Sequence, residues 1–177
     1  DEVDKLRKEL EDANARDREK SKENKDENDK ALKELEEVLE KLKRELEEIV
    51  RRVKEVLDKN SPSEVVKRLL DDARRVLKKL ADDLRRLLDE WRKLLRKSAE
   101  DSRRSLEELE RLVKRIAEAG LEEEILKKIE KEIRTNREEN ERLLKESEDE
   151  LKRLEDEMRE ILERIKRLIE EVEERAR

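Results

Sequence analysis

Apolar side chains recur every three or four residues along most of the chain, and the positions between them are overwhelmingly charged. Steps of three and four gather side chains on one face of an α-helix, whereas a half-buried strand needs strict alternation. The pattern therefore predicts amphipathic helices and no sheet. Two breaks interrupt it. At Asn60-Ser61-Pro62-Ser63-Glu64, Asn60 suits a left-handed residue closing one helix and Ser61 suits the cap of the next. Pro62 is then the first helical residue, and Glu64, three after Ser61, completes a capping box. At Ala119-Gly120-Leu121 the only glycine can end a second helix, and Glu122, Glu123 and Glu124 set negative charge at the positive start of a third.

Three helices follow, over about 2–59, 62–119 and 122–176, each about 85 Å long at ~1.5 Å per residue. Near-equal lengths joined by short turns predict an all-α fold, an elongated up-down-up three-helix bundle of long, nearly straight helices in a single domain, 1–177. From Val66 to Ile116 the seam advances roughly 3.57 residues per step, between the coiled-coil and straight-helix values. In the second helix it is read through Val66, Leu69, Ala73, Val76, Leu80, Leu84, Leu87, Trp91 and Leu94. Leu70, Leu77, Leu88 and Leu95 lie beside it, as do Leu144, Leu162 and Ile169 in the third helix. They widen the stripe enough for a helix that touches two neighbours.

The seam is not apolar throughout. Carried on at its own spacing, it lands on Asp17, Ser21, Asn24 and Asn28 in the first helix. It lands on Ser98, Ser102 and Ser105 in the second, and on Asn136, Asn140 and Ser147 in the third. Folding at the two breaks sets Asp17 level with Arg104 and Asn136, and Ser21 level with Glu100 and Asn140. Asn24 falls level with Lys97, beside Ser98. All ten polar positions thus collect at one level. Unpaired buried polar groups cost ~1–3 kcal/mol each, so such a layer persists only if its members satisfy one another or water. In return it penalises shifted registers and wrong partners. Other readings stand beside this one. Residues 16–30 carry no apolar side chain and twelve charges, so after the internal network they read next as a face meeting another copy and last as a loose solvated stretch. On the network reading, replacing Asn24, Asn136 and Asn140 by Leu is expected to raise the unfolding midpoint and loosen register or association.

Composition narrows the chemistry. Charged residues make up 59% of the chain, but 49 basic against 55 acidic side chains leave a net charge of only −6, with both signs interspersed. That supplies no basic face for nucleic acid. The lone aromatic, Trp91, gives no stacking platform for bases and reads as a core filler. No stretch is long and apolar enough to span a membrane, and no targeting signal is legible. The start at Asp1, without Met, is expected of a trimmed synthetic product. With neither His nor Cys, the usual zinc, haem and iron–sulfur ligands and the His- or Cys-based nucleophile systems are missing. Asp26-Glu27-Asn28-Asp29 lacks the turn glycine and closing Glu of a calcium loop, and one glycine cannot build a phosphate loop. No enzyme, cofactor, metal or small-molecule substrate is expected.

The Glu/Lys/Arg surface, the Leu/Ile/Val seam, the Asn60-Ser61-Pro62-Ser63-Glu64 turn and the Ser/Asn layer resemble de novo designed helical bundles. The likeness is one of style and runs the whole chain. It implies a structural scaffold or interaction module, in which a buried hydrogen-bond network sets register or partner. The expected partner is none, a second copy through the polar layer, or a designed helical chain. Spectrin-like repeats fit less well, since their helices are about half as long and their tryptophan typically lies early in the first helix. The alternative function is an amphipathic, lipid-surface-binding helical protein, although exchangeable apolipoproteins usually break their helices with prolines that this chain mostly lacks.

Overall fold

A computed structural model describes residues 1–60 and 62–176. It contains three long helices, α1 (Glu2–Asp58), α2 (Ser63–Glu118) and α3 (Glu123–Ala176). Their ends follow from local chemistry. Asp1 caps α1, its carbonyl accepting from the Lys5 amide at 3.2 Å and its Oδ1 from the Val3 amide at 3.4 Å. Asn60 takes a φ of 54°, the left-handed conformation expected of it. The Ser61 cap lies outside the described residues. Pro62 stands just before the first helical residue rather than within the helix, and its carbonyl accepts from the amides of Val65 and Val66 at 3.0 and 3.3 Å. A proline loses nothing in either place, because neither position has an intrahelical use for its N–H.

The α2–α3 turn is a Schellman motif. The Leu121 amide bonds back to the Ile116 carbonyl at 3.5 Å and the Gly120 amide to Ala117 at 3.3 Å, with Gly120 at φ 92°. Leu121 packs against the apolar cluster that includes Ile116, which is the hydrophobic contact this motif favours. Glu123 and Glu124 occupy the first turn of α3.

Tertiary contacts group into two compact units: residues 1–30 with 92–149, and residues 31–91 with 150–177. In the first, Leu6, Leu10 and Ala13 of α1 meet Leu109, Leu112 and Ile116 of α2 and Ile133 of α3 in one buried cluster. Full burial of each large aliphatic side chain stabilises by about 1.5–3 kcal/mol. α1 and α2 run antiparallel here, since Arg16 reaches Glu108 while Glu27 reaches Lys97. The second unit has its own apolar interior, including Leu35, Leu42, Ile49 and Val53 of α1 with Leu84 and Trp91 of α2 and Ile161, Ile165 and Val172 of α3. α1 and α3 run parallel in it, Glu36 meeting Arg153 and Lys43 meeting Glu157.

The deepest file of α2 keeps Val66, Ala73, Leu84 and Trp91 of the seam read in the sequence and departs from it by one residue, or one turn, at the positions between. Leu70, Leu77, Leu88 and Leu95 are buried, whereas Leu69, Val76, Leu80, Leu87 and Leu94 are only half-buried. Paired leucines such as Leu69-Leu70 make both files apolar, so periodicity alone does not say which points inward.

Candidate functional site

None of the ten polar seam positions is exposed. Asp17, Asn24, Asn28, Ser98, Asn136 and Ser147 are buried, and Ser21, Ser102, Ser105 and Asn140 half-buried. All belong to the first unit. They are held there by the same three- and four-residue spacing that buries the leucines before and after them.

The tightest contacts centre on Asp17, whose residue is 6% exposed. Its Oδ2 accepts from the Asn136 amide nitrogen at 2.8 Å and from that of Asn140 at 3.0 Å. A carboxylate at neutral pH offers only acceptors, so both asparagines must turn their NH2 groups toward it. Asn136 spends its second N–H on the Oδ1 of Asn14 at 2.9 Å. One acid on α1 thus engages one turn of α3 through two amides. Hydrogen bonds to a charged group are worth about 1.5–3 kcal/mol each, and they offset the cost of drawing the charge out of water.

Further along α1, Asn24 donates to Asp101 at 3.2 Å and Asn28 donates to Ser98 at 3.4 Å. The Ser98 hydroxyl donates to the Leu94 carbonyl at 2.9 Å, one turn back on its own helix. Level pairing sets Asn24 beside Ser98; here Asn28 takes that place, so α1 is displaced against α2 by about one helical turn. Long side chains and an uncounted turn residue easily absorb such an offset, which sequence symmetry cannot fix.

Ser21, Ser102 and Ser147 line a cleft of about 30 Å³ together with Asn24, Asn28 and Asn140. Ser105 is half-buried outside these contacts. Asn14 and Asp101 were not legible as members. Each flanks a seam position, after Ala13 and before Ser102, as Leu70 and Leu77 flank theirs, so the width of the apolar stripe was the signal that could have found them.

On the helix surfaces the charges form a repeating device. Arg51, Arg103 and Arg142 each close on a Glu three residues before and another four residues after. Hydrogen bonds from Arg51, Arg103 and Arg142 hold the carboxyls of Glu48, Glu100 and Glu139 below their ordinary range. These groups are exposed, so they bias the helix and contribute little to stability. Among the described residues no cluster of acids is placed to hold a metal ion. Among the same residues no helix is long and apolar enough to cross a membrane.

No family model matches the chain, and no curated protein matches it. It is similar to a solved structure described as a "Computationally designed three helix bundle", at 25% identity and a TM-score of 0.43, over 99% of this chain and 84% of that one.

Proposed function

We propose that the chain is a designed structural scaffold whose polar layer specifies how its helices pair. The observation that carries the reading is the Asp17 carboxylate, buried on α1 and answered by Asn136 and Asn140 of α3. An apolar seam tolerates a slip of one heptad, because leucine meets leucine again. A buried carboxylate does not, since a slip leaves the charge against aliphatic side chains and strands two amides. The layer therefore trades stability for a single register, and the rest of the sequence supplies helix propensity and an even charge balance. The evenly mixed surface and the missing chemistry of His, Cys, Tyr and Phe support a scaffold rather than a catalyst.

The test replaces Asp17, Asn136 and Asn140 by Leu together and follows urea unfolding and association state. The expected result is a higher midpoint with a mixture of associated species. If neither midpoint nor association changes, the layer has no role in specificity.

A further inference from the structure

The bonds around Asn28 leave one group unanswered. Its Nδ2 donates to Ser98, but its Oδ1 is buried without a partner in a residue only 3% exposed. Ser98 cannot answer it, because its proton is given to the Leu94 carbonyl. Asn28 and Ser98 both line the 30 Å³ cleft, whose wall on α3 includes Ser147. A water needs about 10–15 Å³ of such space and two to four polar partners. The cleft has room for one or two. A cation is disfavoured because Lys25, whose ammonium sits 3.1 Å from Asp29, is also in the lining.

We propose that this cleft is a built hydration site, in which an ordered water donates to Asn28 Oδ1 and is shared with serine hydroxyls of α2 and α3. The direct bonds at this level join α1 to α2, Asn24 to Asp101 and Asn28 to Ser98. The water adds α3 through Ser147. A bridging water is nearly as favourable in enthalpy as a direct bond, and it satisfies an acceptor whose isolation otherwise costs the full desolvation penalty. The site stands independently of whether the layer governs pairing.

Water-selective NOE and ROE spectra of the isotope-labelled full chain test it. The expected result is cross-peaks from a water that tumbles with the protein to the Asn28 side-chain amide and to the methyls of Leu143 and Leu144. In Ser147→Val, which fills the cleft and removes the α3 hydroxyl while leaving Ser21, Ser98 and Ser102, those peaks should vanish, with helical circular dichroism retained. Absence of the peaks in the native chain overturns the proposal. So does their survival in the folded Ser147→Val variant, which would mark them as relayed from serine hydroxyl exchange. If that variant does not fold, Asn28→Leu removes the acceptor instead, and the peaks to the Leu143 and Leu144 methyls should then vanish, their survival overturning the proposal.

Discussion

Asp17 sets the sign of substitutions around it. Read from the sequence, replacing Asn24, Asn136 and Asn140 by Leu promises a gain in stability, because three amides leave an apolar seam. The contacts reverse this: Asn136 and Asn140 are the donors to a buried carboxylate, and their loss strands its charge. Asn136→Leu with Asn140→Leu is therefore expected to destabilise by about 2–5 kcal/mol in urea denaturation, and adding Asp17→Leu should recover that loss or more. A gain from the asparagine pair alone would show that Asp17 does not depend on them. Polar positions on the seam were legible as positions because the spacing carried through them. Their partners were not, since Asn14 and Asp101 sit beside the seam and a hydrogen bond depends on rotation by a fraction of a turn. The buried indole N–H of Trp91, left without a partner, was equally invisible from its place in the pattern.

Helix ends and surface charges are decided within each element. Gly120 adopts φ 92°, and a Cβ built on it meets nothing within 4 Å, so the cost of a side chain there is purely conformational. Gly120→Ala is expected to lower stability by about 1–2 kcal/mol in the same urea assay. A neutral result would mean the turn relaxes out of its Schellman geometry. The glutamates clamped by arginine respond to pH in a fixed direction. Their folded carboxyls are held low, so their contribution is complete above the ordinary carboxylate range and is lost as pH falls through the depressed folded values. The melting temperature should drop on strong acidification, and Glu100→Gln should lessen the drop slightly, as expected for an exposed ion pair. The turns at Asn60 and Gly120 could be read from the sequence because one residue type answers one backbone demand. The inward file of α2 could be read only in part, at Val66, Ala73, Leu84 and Trp91, because its leucine doublets offer two faces of equal hydrophobicity. A Glu four residues before its base also closes, Glu48–Arg52 at 3.0 Å, yet the recurring geometry is an arginine held by acids three before and four after.

Across the molecule the polar side chains are not shared evenly. The unit of residues 31–91 and 150–177 buries an aliphatic interior, while the unit of residues 1–30 and 92–149 holds the whole polar layer along with its own apolar cluster. Native-state hydrogen exchange should accordingly find amides over 17–28 opening more readily than those over 35–53, where burial is apolar. Equal protection would mean the network rigidifies as strongly as leucine packing. The three-helix, all-α fold was legible because a 3.6-residue pattern with two breaks leaves few alternatives. How the polar layer pairs is a matter of which copies of the chain contribute to it, and light scattering on a sizing column measures this directly. One species near 21.5 kDa is expected, the mass of a single chain whose own three helices satisfy the layer. A mass at a multiple of that value would contradict it, and would make the Asp17–Asn136–Asn140 cluster part of an interface between copies.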